Sequence, residues 1–250
     1  MLHGCRLRYE EMSSKSNVEY IAGVFIQCLL MHAKKQVYYY EDESTPTGTC
    51  AVCVVGGEGL VRYQVEKAKY FYIAGFFLTV SLNSIQLVVE HATANNKVFT
   101  MNLSAPFICE FFKDPQEKVL PYLKVLQFVF YGLTFWVVSI DKTDNVEEIA
   151  LKISQWPKAS KIFKRITVIT QGADPIVVAL DGKVKKFPVI LLPKEKLVDT
   201  TGAGDAFVGG FISQLVQGKP IDECVRAGCY ASNVIIQRFG CTYPEKPDFN

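Results

Sequence analysis

Short apolar runs alternate with segments in which apolar residues recur every three or four positions over most of the chain. The short runs predict buried strands and the periodic segments predict amphipathic helices. We expect strands at 36–40, 49–55, 69–75, 98–103, 166–170, 175–180 and 184–190, and helices at 82–94, 145–155, 204–216 and 221–238, with a further candidate helix at 18–32. This alternation predicts an α/β fold with a mostly parallel central sheet and helices on both faces. The more polar and aromatic early strands, within about 36–75, suit a small sheet at one edge or a lid.

Local signals sharpen some of these boundaries. Ser81 stands directly before a helical pattern and favours a helix start there. Asp181 and Gly182 separate two apolar runs and form the strongest hairpin signal in the chain. The segment 125–140 holds sixteen residues without a charge, fewer than the roughly 18–20 that span a bilayer. We favour a buried strand leading into a buried helix over a membrane segment.

Composition excludes several classes of protein. Hydrophobic residues make up 49% of the 250-residue chain, so a packed core is expected. The formal net charge is +2, too small to indicate a nucleic-acid or membrane-surface protein. The segment 1–15 has no apolar stretch of the secretory kind, and we expect a reducing compartment. A small basic cluster is interpreted as a solvated loop face: Lys158, Lys161, Lys164 and Arg165.

The spacing of Cys50 and Cys53 is that of some zinc and redox motifs. Residues three apart in an extended strand point to opposite faces, however, and no second such pair exists. We therefore predict no metal or redox site in this chain.

The segment 198–211 reads VDTTGAGDAFVGGF and carries the strongest chemical signal. It leads into a predicted helix, so Gly202, Ala203 and Gly204 stand at a helix N-terminus, where open amides and the helix dipole attract phosphates. Asp205, in the first turn, is a poor phosphate ligand but can accept a proton from a hydroxyl that attacks the phosphate. A tight glycine turn followed by a helix-favouring acid is the alternative, structural interpretation.

The segment DTTGAGDAFVGGF resembles the C-terminal signature of the ribokinase-like (PfkB) carbohydrate and nucleoside kinases. Four further blocks resemble those of the adenosine kinases in that family: PTGTCAVC at 46–53, YIAGFFLTVS at 72–81, MNLSAPFI at 101–108 and GCTYPEKPDF at 240–249. The resemblance implies the ribokinase-like fold over 18–250, after a divergent segment at 1–17. It also implies purine salvage chemistry, in which ATP and Mg²⁺ serve to phosphorylate the 5′-hydroxyl of adenosine, giving AMP and ADP.

The resemblance implies roles for individual residues. Asp205 matches the family's catalytic base, and Gly202, Ala203 and Gly204 match its anion hole. The residues expected on the nucleotide side are Thr170, Gln171, Gly172, Thr200 and Thr201, and those expected on the substrate side are Cys50, Phe77, Asn102 and Phe107. We expect adenosine and ATP as small-molecule partners, no nucleic acid or membrane, a monomer, and a cytoplasmic location with the nucleus as a further one.

Three places depart from the family pattern. The family's early strand with an acidic ribose ligand is missing or replaced in 1–17, and its A-G-G-S-x-x-N loop is replaced by AGVFI at 22–26. Its N-x-x-E motif is replaced by QFVFYGLTF at 127–135. Asn145 and Glu148 share that spacing, but in a different helix. The departures leave two alternatives open: an impaired or inactive relative that acts as a binding protein, and a sugar kinase of the same fold.

Overall fold

A computed structural model describes residues 68–79, 81–102, 108, 111, 113–123, 125–129, 145–159, 164–240, 242–244 and 248–249. The described residues belong to two compact units, one up to Val189 and the other from Ile190 onward. The strands predicted at 36–40 and 49–55 and the candidate helix at 18–32 lie outside them.

The first unit is built on one six-stranded sheet with its strands in chain order. These are β1 (Tyr70–Ile73), β2 (Val98–Asn102), β3 (Val125–Val129), β4 (Ile166–Gln171), β5 (Asp174–Leu180) and β6 (Lys183–Phe187). Neighbours from β1 to β4 pair in parallel, and β4, β5 and β6 pair antiparallel. The unit's helices are α1 (Leu82–Ala94), α2 (Lys113–Val119) and α3 (Val146–Gln155), with short 3₁₀ turns at Gly75–Thr79 and Leu120–Tyr122. The predicted α/β architecture with a mostly parallel sheet is confirmed.

Local signals place these elements well. Helix α1 starts where Ser81 Oγ accepts from the Ser84 amide, 3.2 Å away. The predicted hairpin joins β5 to β6, and both of its central residues have positive φ, 56° for Asp181 and 71° for Gly182, as a type I′ turn requires.

The strand predicted at 69–75 forms as β1, but it does not belong to a lid. Tyr70 to Ile73 pair in parallel with Val98 to Met101 of β2, so β1 is the edge strand of the main sheet. Its four residues are only partly buried, as expected for an edge strand. Because an edge strand carries more polar and aromatic residues than a central one, its sequence resembled that of the other early strands.

The core of this unit lies between the sheet and its helices. All five residues of β2 are buried. Helix α1 buries Ile85 and Val89, and α3 buries Ile149 and Ile153, at spacings of one helical turn. Each fully buried side chain of this size contributes about 2–3 kcal/mol relative to an exposed one, so these stripes determine how the helices dock.

Arg165 is buried, which corrects the prediction that it lies on a solvated loop face. Its side chain is 1% exposed. The guanidinium donates to four carbonyls, those of Leu120, Ile153, Trp156 and Pro157, at 2.6–3.1 Å. Burial lowers the pKa of Arg165 to about 10. Three of these carbonyls lie at the C-terminal end of α3, where a cation is favoured. Lys164, its neighbour, is exposed and pairs with Asp181.

The second unit contains a 3₁₀ turn at Lys194–Lys196 and the helices α4 (Ala203–Leu215) and α5 (Ile221–Ile236). The two helices pack closely because glycine stands at their contact. A Cβ built on Gly210 would lie 2.3 Å from the Ala227 carbonyl oxygen, and one on Gly228 would lie 2.7 Å from the Phe207 ring. Backbone and ring occupy the space that side chains would need, so α4 is held firmly against α5.

No helix in the described part of the chain has the length and apolar character needed to cross a membrane. Strand β3 accounts for the first five residues of the uncharged segment 125–140, and the residues after it lie outside the described ones.

Candidate active site

Helix α4 begins at a glycine bend. Gly202 occupies the N-cap position with φ 77°, in the left-handed region where a residue with a Cβ is strained. No side chain caps this helix. The Gly202 carbonyl accepts from the Ala206 amide at 2.8 Å, which starts the helical hydrogen-bond ladder. The sequence GAGD therefore forms the predicted turn from loop into helix.

The amides of this first turn are partly open. The Ala203 amide donates to the Thr200 carbonyl at 3.2 Å. Among the described residues, no acceptor is bonded to the amides of Gly204 and Asp205. Gly204 is exposed, and a Cβ built there would meet nothing within 4 Å. The bend thus presents two unpaired donors next to open space, which suits the oxygens of a phosphate. The part of the predicted anion hole at Ala203 is already bonded to main chain.

Asp205 lies in the first turn of α4 and is partly buried. Burial raises the pKa of its carboxyl from 3.8 to about 6, because removal of water disfavours the charged form. A carboxylate with this pKa is still mostly ionised at neutral pH and binds a proton more readily than an exposed one. It is thus suited to act as a general base next to a phosphate site.

The loop before the bend is held by a residue that the sequence analysis did not select. Asp199 Oδ1 accepts from the Thr201 amide at 2.8 Å. Hydrogen bonds from Thr201 and from the Gly240 amide lower the pKa of the Asp199 carboxyl. An Asp that bonds to the amide two residues later is typical of a turn, so the DTT sequence carried a usable signal. Of the residues predicted here, Thr200 is exposed and its carbonyl accepts from the Ala203 amide. The Thr201 amide donates to the Asp199 carboxylate.

The predicted residues of the first unit cluster at the ends of its strands. Asn102 ends β2, and its Oδ1 accepts from the Gly75 amide at 2.8 Å, which ties the turn that contains Phe77 to this strand. Phe77 packs partly against the core. Strand β4 ends near Thr170 and Gln171. Parallel strands place these carboxyl ends at one edge of the sheet, where α/β folds bind ligands.

Two further details concern the turn after β4. The Gln171 side chain donates to the Pro175 carbonyl at 2.5 Å, and Gly172 has φ 66°. The remaining predicted substrate residues, Cys50 and Phe107, lie outside the described residues.

The residues present fit a nucleotide better than a metal held by protein alone. The open amides and the exposed glycine at the start of α4 can accept a terminal phosphate. Among the described residues, no group of three His, Cys, Asp or Glu side chains is arranged to hold a metal ion. Magnesium commonly keeps several waters and binds through substrate phosphates with few protein ligands, and this donor set fits that mode.

Comparisons with known proteins agree with the chemistry of the bend. Residues 29–248 match the family model described as pfkB family carbohydrate kinase. The chain is 60% identical to adenosine kinase 1 of Arabidopsis thaliana, in a match that covers 97% of this chain and 86% of the relative. It is similar to the crystal structure of Anopheles gambiae adenosine kinase in complex with P1,P4-di(adenosine-5) tetraphosphate, with TM-score 0.71 and 41% identity over 74% of this chain and 55% of that one.

A second solved structure, adenosine kinase from Schistosoma mansoni in complex with adenosine and AMP, gives a TM-score of 0.69 and 31% identity over 75% of this chain and 56% of that one. The chain thus spans about 55% of these solved structures. The Arabidopsis match extends over 298 positions, whereas 97% of this chain is only about 243 residues. Roughly 55 positions inside the match therefore have no counterpart in this chain.

Proposed function

We propose that this chain, which belongs to the pfkB family of carbohydrate kinases, is an ATP-dependent adenosine kinase. The reaction transfers the γ-phosphoryl group of ATP to the 5′-hydroxyl of adenosine and yields ADP and AMP. The observation that carries the proposal is the start of α4. There an uncapped glycine bend presents open amides beside Asp205, whose carboxyl has a raised pKa.

Asp205 is assigned the role of general base. Its carboxylate accepts the proton of the adenosine 5′-hydroxyl while the oxygen–phosphorus bond forms and the bond from the γ-phosphorus to the departing ADP oxygen breaks. A pKa of about 6 keeps most of this carboxyl ionised at neutral pH, and general bases of this kind contribute typically 10²–10⁴-fold in rate.

The amides of Gly204 and Asp205 are assigned to the γ-phosphoryl oxygens. They are held in place before the ligand arrives, and donors fixed in this way stabilise charge as it develops on the transferring group. The open space at Gly204 is needed because a side chain there would stand between the backbone and the phosphate. When bound, Mg²⁺ would be held mainly by the nucleotide phosphates and water, and would neutralise their charge.

The remaining assignments follow the family resemblance. Thr170, Gln171, Gly172, Thr200 and Thr201 are proposed for the nucleotide, and Phe77 and Asn102 for the nucleoside. Those in the first unit lie at strand ends or in the turns that follow them, and Thr200 and Thr201 precede α4. Gly172, Thr200 and Thr201 are exposed, whereas the Asn102 side chain is buried. We expect the protein to act as a monomer in the cytoplasm, with the nucleus as a further location.

Product analysis with the purified chain tests this proposal. The chain is incubated with ATP, MgCl₂ and adenosine, and AMP and ADP are quantified, with ribose and fructose as alternative acceptors and EDTA as the control for magnesium. We expect AMP in equal amount to ADP, with adenosine as the preferred acceptor. Phosphorylation of ribose or fructose in preference to adenosine would instead establish a sugar kinase.

A second candidate function is that of a binding protein with impaired catalysis. The roughly 55 missing positions within the Arabidopsis match favour it, as do the replaced loop at 22–26 and the replaced motif at 127–135. A chain of this kind would bind ATP or adenosine in calorimetry but give no AMP above background. Because phosphoryl transfer depends largely on positioning, loss of a substrate-holding loop would lower turnover far more than it would lower nucleotide binding.

A further inference from the structure

Helix α5 contacts the loop and helix start that form the candidate active site at two points. Ser232 Oγ donates to the Ala203 carbonyl at 2.7 Å. The Ile236 carbonyl accepts from the amides of Val198 and Asp199 at 2.9 and 3.3 Å. Both contacts come from the last five residues of α5, one from a side chain and the other from the backbone.

These two contacts lie on either side of the glycine bend. The bond to Ile236 fixes the chain just before Thr200, and the bond from Ser232 fixes it just after Gly202. Between them, the Gly202 bend has no side-chain cap. The direction of the open amides at Gly204 and Asp205 therefore depends on what holds Ala203, the residue directly before them.

We infer that Ser232 is a positioning residue for phosphate binding, acting through the Ala203 carbonyl on the amides of the first turn of α4. The inference rests on the proposed function of that turn. A hydroxyl bonded to the carbonyl of the first helical residue restrains the peptide plane that connects Ala203 to Gly204, and this plane contains the Gly204 amide. Loss of the hydroxyl leaves α4 in place, because the close contacts between the two helices at Gly210 and Gly228 remain. The orientation of the peptide plane between Ala203 and Gly204 is then less restrained.

Ser213 provides a matched control. Its Oγ donates to the Gly210 carbonyl at 2.7 Å, the same type of bond at the same length, but in the middle of α4 and away from the bend. Ser232→Ala and Ser213→Ala each remove one hydroxyl-to-carbonyl bond, and Ser213→Ala also removes the acceptor of the Gln214 side-chain amide, 3.3 Å away. The loss of melting temperature should therefore be at least as large in Ser213→Ala as in Ser232→Ala. Ser232→Thr, which keeps the hydroxyl, is the conservative variant.

The experiment measures binding of the ATP analogue AMP-PNP with Mg²⁺ by calorimetry, and kcat and KM where turnover is detected. We expect Ser232→Ala to weaken AMP-PNP binding about fivefold to tenfold, as for the loss of one hydrogen bond, and to lower kcat with KM for adenosine unchanged. Ser213→Ala should leave both AMP-PNP affinity and kcat at the parental values. Ser232→Thr, which keeps the hydroxyl, should bind AMP-PNP as tightly as the parent.

Equal AMP-PNP affinity in the parent, Ser232→Ala and Ser213→Ala would overturn this inference while leaving the proposed function intact. Equal weakening by both alanine variants would also overturn it, because that result indicates a general structural role. A parent chain that binds no AMP-PNP would overturn the proposed function, and the inference with it.

Discussion

The helix starts of the two units differ in how their backbone donors are used. In the sheet unit, Ser81 caps α1, and the Asn145 side chain caps α3 by accepting from the amides of Glu147 and Glu148. In the second unit, Gly202 starts α4 without any side-chain cap. A capped start satisfies amides that would otherwise be open, so the uncapped start of α4 keeps donors that the starts of α1 and α3 have already used.

Helix α5 shows that a missing cap alone does not make a site. It also begins without a side-chain cap, after Pro220, but its first turn contains both Asp222 and Glu223, which disfavour an anion. The start of α4 differs by its glycine bend, the open space at Gly204 and a single, partly buried acid, Asp205. The comparison teaches that the starts of α1 and α3 use their amides for stability, whereas the start of α4 leaves two amides unused.

The largest expected effect comes from Asp205→Asn. The amide cannot accept the 5′-hydroxyl proton, so kcat should fall about 10²–10⁴-fold, while affinity for AMP-PNP changes little because the backbone donors remain. Rates are measured from AMP formation under saturating ATP and adenosine. The control is Asp222→Asn, which removes an exposed acid from the first turn of α5. Parental turnover in Asp205→Asn would show that this carboxyl is not the base.

The next largest effect is expected in the sheet unit, the unit up to Val189, where the polar side chain of Arg165 serves stability. Arg165→Met removes the guanidinium donor from four carbonyls, two of them in buried bonds, and we expect a loss of about 2–4 kcal/mol in the free energy of unfolding. Denaturant titration measures it, with the exposed Lys164→Met as the control. At a temperature where the variant is folded, kcat should match the parent. A lower kcat in the folded variant would contradict a purely structural role.

Local parts of this fold were predictable from sequence, and non-local parts were not. The start of α1 at Ser81, the hairpin at Asp181 and Gly182 and the turn from Gly202 into α4 depend on residues within a few positions of one another. The place of β1 in the main sheet depends instead on its pairing with β2, some 28 residues away, and no local pattern contains that information.

The candidate site shows the same division. The open amides and Asp205 follow from the GAGD sequence. The burial of Arg165 depends on carbonyls from two other elements, and the contact of Ser232 with Ala203 spans 29 positions. Within a cluster of charged residues, the sequence alone does not distinguish the exposed Lys164 from the buried Arg165, because both are flanked by similar residues.

Gly204→Ala isolates the role of open space at the bend. A Cβ there meets nothing within 4 Å, so stability should be unchanged or slightly higher, by about 0.4–1 kcal/mol. The methyl group would stand where a phosphate must approach, and kcat/KM for ATP should fall about 10²-fold, comparable to the loss of one oxyanion donor. Gly210→Ala is the opposite control: its Cβ meets the Ala227 carbonyl at 2.3 Å, and it should destabilise the protein. Unchanged kcat/KM for ATP in Gly204→Ala would show that the phosphate does not bind against this bend.

The smallest expected effect is a pH-dependent change in stability at Asp205. The pKa of its carboxyl is 3.8 without the fold and about 6 within it, so the folded protein binds this proton more tightly than the unfolded chain. The resulting stability is fully present below pH 3.8 and is lost as the pH rises through about 6. Asp205→Asn does not titrate, so its advantage in stability over the parent should be larger at neutral pH than at pH 5, by about 1–2 kcal/mol.

Denaturant titrations of both proteins at the two pH values measure this difference, with Asp222→Asn as the control for the loss of a first-turn acid. An advantage that is the same at both pH values would show that the Asp205 carboxyl is solvated like an exposed one, and the contrast between the two helix starts would then rest on the open amides alone.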